Sequence, residues 1–180
     1  MKIRGTSGGG VRIHLDDDET EALKGWVEQL AELVAPDEAE SSDPLATMVG
    51  LGADREPSGD PALQRLFPDA YLDDDEAASD FRRYTEQDLR KDKAQRAAVV
   101  IATLGERSGR KGTVTLDADQ ARAWLGCLND LRLVIGTRIG VTEDDQWPDE
   151  DDPRTPVFFV YHWLTYLQGT LVDAMSPRSP

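Results

Sequence analysis

The chain has 180 residues, 39% of them hydrophobic, which is enough for one hydrophobic core and too few for two ordinary domains. Its formal net charge of −15 opposes nucleic acid binding at long range, and its single cysteine excludes an internal disulfide framework. No secretory signal follows Met1 and no apolar run reaches the ~20 residues of a membrane span, so we expect a cytoplasmic protein without a membrane anchor.

The first fifteen residues predict a β-hairpin, KIR and VRIHL joined by the turn GTSGGG. Val11, Ile13 and Leu15 alternate with polar residues, which is typical of a strand with one buried face. The segment 113–116 shows the same alternation. Because an isolated hairpin is marginally stable in water, we expect this segment to pair with it as a third strand.

Helix starts are marked by capping residues. Asp16 with Glu19, and Asp117 with Gln120, have the spacing of a capping box, which satisfies free amides in the first turn. An aspartate followed by proline at the first helical position predicts two short helices. These signals are Asp43-Pro44 and Asp60-Pro61, and Thr155-Pro156 predicts the cap of the last helix.

Three long helices dominate the rest of the chain, at about 76–104, 117–139 and 157–175. The 117–139 helix is apolar on most of its circumference, so we expect the other helices to pack around it. The fold class is therefore mainly α: a helical bundle plus a small antiparallel sheet of about three short strands. We expect one domain over residues 1–175 and a disordered tail over 176–180. The predicted buried residues of the 76–104 helix are Phe81, Tyr84, Leu89, Ala97, Val100, Ile101 and Leu104.

Residue types that carry catalysis or bind metals are sparse. His14 and His162 are the only histidines, and neither has a partner at ligand spacing, so both are interpreted as structural or solvated. We expect no metal, no cofactor and no catalytic residue. Cys127 lies on an apolar helix face, so we interpret it as an inert core thiol, with a redox site as the alternative.

Charged and polar residues inside the long helices form the first candidate site. A charge at such depth needs a partner, so two interpretations remain open. The first is a structural ion-pair network that sets the register of the helices, and the second is a pocket for an anion. The residues concerned are Asp88, Arg90, Lys93, Asn129, Asp130, Arg132 and Arg138.

A second candidate site is a weak contact to nucleic acid. The segment from Arg82 to Arg138 has 12 basic and 7 acidic residues, although the whole chain has 20 and 35. Many of these charges neutralise one another along the helix. Less compensated basic residues would share one side of the sheet, where a phosphate contact would be weak or would need a partner protein. They are Arg4, Arg12, Arg107, Arg110 and Lys111.

Several blocks resemble a known family. They are FRRYTEQDLRKDKA (81–94), WLGCLNDLRLVIGTRIGV (124–141) and YHWLTYLQGTLVDAM (161–175), together with VRIHLDDDE and PALQRLFPDAY. They are similar to the corresponding blocks of the actinobacterial AosR-type family of oxidative stress transcriptional regulators. The resemblance covers most of the chain. It implies a cytosolic protein with a helical core that acts in redox-responsive control of transcription through a protein partner.

The family resemblance and the residues lead to two functional hypotheses. The first is a non-enzymatic regulator or adaptor that contacts another protein, in which Cys127 has no companion for a disulfide within the chain. The alternative is a small-molecule (anion) binding domain, or an enzyme of unknown reaction, with a pocket near Asn129–Arg132. Both hypotheses are compatible with a homodimer.

Overall fold

The computed structural model describes residues 1–6, 9–35, 58–71, 73–106, 112–142, 148–149 and 151–176. The element order is β1 (Lys2–Gly5), β2 (Val11–His14), α1 (Asp17–Val34), α2 (Pro61–Leu66), α3 (Asp75–Gly105), β3 (Thr113–Leu116), α4 (Ala118–Ile139) and α5 (Thr155–Met175). The mainly α fold with a small sheet is confirmed. The helix predicted at Asp43-Pro44 and the tail beyond Ser176 lie outside the described residues.

The three strands form one antiparallel sheet in the order β1-β2-β3. Ile13 pairs with Ile3 on one side and with Val114 on the other, so the predicted third strand is confirmed. The alternating residues of β2 and β3 are buried against the helices. At Gly5 the strand β1 passes so close to α5 that an added Cβ would lie 2.5 Å from the carbonyl oxygen of Ala174.

Both predicted capping boxes are confirmed. The Asp16 carboxylate accepts from the Glu19 amide at 2.8 Å, and the Glu19 carboxylate accepts from the Asp16 amide at 3.0 Å. Asp117 and Gln120 repeat these two bonds at the start of α4. A capping side chain of this type stabilises its helix by about 1 kcal/mol.

The start of α5 differs from the prediction. Thr155 is the first helical residue, and Arg154 stands at the cap position without a side-chain capping bond. The Thr155 hydroxyl donates instead to the carbonyl oxygen of Asp149 at 2.8 Å. The threonine is therefore bound to the preceding turn, and the proline after it lies in the first turn, where its missing N–H costs nothing.

The core is built around α4, as the sequence predicts. Helices α2, α3 and α5 pack against α4, and the α4 residue Trp124 is completely buried. The Trp124 indole N–H donates to the Thr103 hydroxyl of α3 at 2.9 Å, so the most voluminous buried side chain also has its polar atom satisfied.

The predicted buried face of α3 is correct only in its C-terminal half. Ala97, Val100 and Leu104 are buried, but Phe81, Tyr84 and Leu89 are 40–59% exposed. At 3.6 residues per turn, the face that continues from Ala97 towards the N-terminus passes through charged residues. They are Arg82, Glu86, Arg90 and Lys93, which we call the charged face of α3.

Candidate functional site: the charged face of α3, the arginine cleft of α4 and the outer face of α5

The charged face of α3 lies over Phe67, the C-cap residue that follows α2. The Arg90 guanidinium lies 4.8 Å from the centre of the Phe67 ring, and the Lys93 ammonium lies 5.6 Å from it. Arg90 also donates to the Glu86 carboxylate at 2.8 Å, and Arg82 pairs with Asp69. Cation–π contacts and ion pairs thus compensate for the loss of water around these side chains.

The charged face reaches α4 through one buried ion pair. The Lys93 ammonium lies 2.7 Å from Oδ1 of Asp130, whose residue surface is only 2% exposed. The second carboxylate oxygen, Oδ2, has no hydrogen-bond partner among the described residues, and the Arg96 guanidinium lies 4.0 Å from it. Arg96 reaches this position because Gly126 has no side chain: an added Cβ would lie 2.9 Å from Cδ of Arg96.

The other residues of the predicted network lie apart from this pair. Asp88 is exposed and pairs with Lys91, and Asn129 is exposed on α4. Arg138 is exposed beside a small cavity between α1 and α4. Arg132 points towards α5. The predicted set is thus divided among different surfaces of α3 and α4, because neighbours in sequence face different sides of a helix.

Cys127 lies in the core, one turn before Asp130. Burial, and secondarily the Asp130 carboxylate, raises the pKa of the Cys127 thiol from 9.0 to about 12. The thiolate is the nucleophilic form of cysteine, so almost none of the reactive species exists at neutral pH. This agrees with the interpretation of Cys127 as a packing residue.

Arg132 lies at an open cleft beside the C-terminal half of α4, which we call the arginine cleft. Its guanidinium donates to the Thr165 hydroxyl at 3.0 Å, to the Gln168 side-chain oxygen, and to the Tyr161 hydroxyl at 3.5 Å. Arg65 of α2 contributes to the same cleft, whose volume is about 490 Å³. A second cavity of about 330 Å³ lies beside the charged face, where Arg82 and Arg90 already pair with carboxylates.

The sheet brings two of the predicted nucleic acid contacts together. Arg4 and Arg12 are direct partners across β1 and β2, and both are exposed. Lys2 is exposed on the same face, opposite His14, which bonds to the Thr113 hydroxyl at 3.1 Å. The other predicted contacts, Arg107, Arg110 and Lys111, lie outside the described residues.

The sequence interpretation missed the outer face of α5, which consists of Phe159, His162, Tyr166 and Gly169. Phe159 is 59% exposed and Tyr166 is 64% exposed, although the helix packs against α4 as the sequence predicts. The available signal was that α5 is apolar on nearly all sides. Such a helix is either enclosed completely or bears an apolar surface for a partner.

The described part of the chain contains neither a metal-binding cluster nor a helix that could span a membrane. No group of three or more histidine, cysteine or acidic side chains there is arranged to hold a metal ion. None of the described helices combines the length and apolarity that spanning a membrane requires.

Comparisons with known proteins agree with the family resemblance. The family model described as "Domain of unknown function (DUF2017)" matches residues 1–175. A Mycobacterium tuberculosis protein named "Oxidative stress regulator AosR" is 34% identical over 153 residues, which cover 76% of this chain and 68% of the relative. A Mycobacterium leprae protein named "Putative oxidative stress regulator AosR" is 32% identical over an alignment of 195 positions, which covers 97% of this chain and 86% of the relative. No solved structure matches. The chain therefore belongs to the DUF2017 family, together with the mycobacterial AosR proteins.

Proposed function

We propose that this chain is a non-enzymatic, cytoplasmic regulator that acts in transcription control by binding a protein partner through the outer face of α5. The regulatory role is supported by the name of its relatives, oxidative stress regulator. The observation that carries the binding role is the exposure of Phe159 and Tyr166 on a face of α5 whose one charged residue is Asp173, near the end of the helix.

The outer face of α5 has the composition of a protein interface. Exposed aromatic side chains are enriched at the centres of such interfaces, and charged residues are depleted there. Asp173 is the only charged residue among the 21 of α5, whereas 31% of the whole chain is charged. The low charge of this face is therefore specific to the helix and does not reflect the composition of the protein.

Gly169 gives additional support. A glycine inside a helix costs about 1 kcal/mol relative to alanine. A Cβ added at Gly169 would meet nothing within 4 Å, so packing within the chain does not require the glycine. Close approach of a partner would explain it. Because Gly25 of α1 also has open space, the glycine supports the proposal only in combination with the two aromatic residues.

The overall charge favours a protein partner over direct DNA recognition. A chain with a net charge of −15 is repelled by phosphate, and the sheet face has only a few cations to offset that repulsion. Any contact of Arg4 and Arg12 with DNA would be weak and would depend on the partner for affinity.

The test is affinity purification of the tagged full-length chain from its host before and after peroxide treatment. We expect a protein of the transcription machinery to co-purify with the wild type. The double variant Phe159→Ser/Tyr166→Ser should lose this partner. Tyr84→Ser is the matched control, because Tyr84 is an exposed aromatic residue on α3, away from α5, and is 59% exposed.

Three results would contradict the proposal. The first is a partner that binds the double variant and the wild type equally, and the second is the absence of any transcription protein among the captured proteins. The third is an outer face of α5 that is covered by a second copy of the chain. In that case light scattering would report a dimer for the wild type and a monomer for the double variant.

A further inference from the structure

We infer that the arginine cleft binds a small molecule carrying a phosphate or carboxylate group, which Arg132 and Arg65 contact from two sides. This site is separate from the outer face of α5 and does not depend on the proposed function. The cleft volume of about 490 Å³ lies within the range of roughly 300–1,000 Å³ that is usual for small-molecule sites.

The partners of Arg132 position its guanidinium without neutralising its charge. Arg82, Arg90, Arg96 and Arg122 each pair with a carboxylate. Arg132, by contrast, bonds to a hydroxyl, an amide oxygen and a phenol, and to no carboxylate among the described residues. A guanidinium has five N–H donors, so donors remain for a ligand. A cation that is already held in place binds an oxyanion with little further loss of side-chain freedom.

Arg65 of α2 provides a second cation at the cleft. Arg65 lies in the last turn of α2, is exposed, and has no carboxylate partner among the described residues. Thr137 and Tyr161 also line the cleft. Gly136 leaves room for the Tyr161 ring, since an added Cβ at Gly136 would lie 3.1 Å from it.

The cleft lies near the C-terminal end of α4, where the helix dipole by itself disfavours an anion. Here the last carbonyl groups already accept hydrogen bonds. Gly140, in the left-handed conformation with φ of 70°, donates to Thr137, and Val141 donates to Gly136 at 2.8 Å. Arg154 donates to the carbonyl of Ile139 at 3.3 Å. These bonds weaken the unfavourable field at the edge of the cleft.

The experiment is isothermal titration calorimetry of the full-length chain with inorganic pyrophosphate and, separately, with succinate, at ionic strength matched with NaCl. The two probes distinguish a phosphate site from a carboxylate site. We expect saturable binding of at least one probe, and a loss of affinity of about tenfold in Arg65→Gln, which removes one charge-assisted contact. Arg65 is exposed, so this variant should fold normally. Arg122→Gln is the control, because Arg122 lies on α4 away from the cleft and pairs with Asp119.

Three outcomes would overturn the inference. The first is no saturable binding of either probe at about 20 mM, a concentration that should nearly saturate a site of millimolar affinity. The second is equal binding to Arg65→Gln and the wild type. The third is binding that occurs only in Glu143→Gln/Asp144→Asn/Asp145→Asn, since carboxylates of the chain itself would then occupy the arginines.

Discussion

At the residue scale, Lys93 and Asp130 form the most buried ion pair of the described residues. Removing one member leaves the other charge without its partner in a largely buried site, where the side chains are 12% and 3% exposed, and such changes cost about 3–5 kcal/mol. The pair joins α3 to α4 close to Cys127, so its loss should act on the core.

We predict that Lys93→Met lowers the free energy of unfolding by about 3 kcal/mol, measured by urea denaturation. The double variant Lys93→Met/Asp130→Leu should recover most of this loss, because no buried charge is left. Lys91→Met is the control: its pair with Asp88 is exposed, and its effect should be below about 0.5 kcal/mol. A loss smaller than 1 kcal/mol for Lys93→Met would contradict the buried-pair interpretation.

Cys127 gives a second prediction at the residue scale. Because the folded state raises the thiol pKa from 9.0 to about 12, the folded protein holds the thiol proton more tightly than the unfolded chain. The resulting contribution to stability is complete below pH 9 and is lost progressively as the pH rises towards 12. At pH 8 the thiolate fraction should be about a thousandfold below that of a free thiol.

The low reactivity of Cys127 is tested by iodoacetamide or peroxide treatment at pH 8 followed by intact-mass measurement. We expect native Cys127 to remain unmodified while the same residue reacts readily in urea. Rapid modification of the native protein would show that the thiol is accessible, and would restore the redox interpretation of this residue.

At the element scale, the close contact of β1 with α5 can be tested with a pair of glycines. Gly5→Ala would place a Cβ 2.5 Å from the backbone oxygen of Ala174, so strand or helix must shift, at a cost of about 1–3 kcal/mol. Gly25→Ala in α1 has open space and should instead stabilise by about 0.5–1 kcal/mol, because alanine favours the helix. Thermal denaturation should show a melting temperature below that of the wild type for Gly5→Ala and above it for Gly25→Ala. Equal effects would mean that the sheet does not dock on α5 as described.

At the scale of the whole molecule, the net charge and the small basic sheet face act against each other. We predict that fluorescence anisotropy detects no complex with duplex DNA at about 150 mM salt, and weak binding only at about 20 mM. Arg4→Glu/Arg12→Glu should abolish the low-salt binding. The control Arg122→Glu/Arg138→Glu changes the net charge by the same amount. It should reduce the low-salt DNA binding less, because those residues lie on α4. Tight binding at 150 mM salt would make direct DNA recognition the better hypothesis.

The fold could be predicted from the sequence where the signal is local. Capping boxes at Asp16 and Asp117 depend on residues three positions apart, and the β-strand alternation depends on neighbours two apart. The third strand also followed from the sequence, since a hairpin alone is marginal and the segment 113–116 has the same alternation. These features require no knowledge of how distant elements meet.

The candidate site could be predicted only in part, because its geometry depends on which helix faces which. Sequence patterns alone indicate that buried charges such as Asp130 need partners, that Cys127 has no companion and that the last helix carries little charge. The packing of the helices establishes that Lys93 reaches Asp130, that the charged face of α3 turns towards Phe67, and that Arg132 is held by Thr165 and Gln168. The physical reason is that burial and pairing are properties of the packed assembly. A periodic pattern specifies a helix face, but the face becomes buried or exposed only when its neighbours are in place.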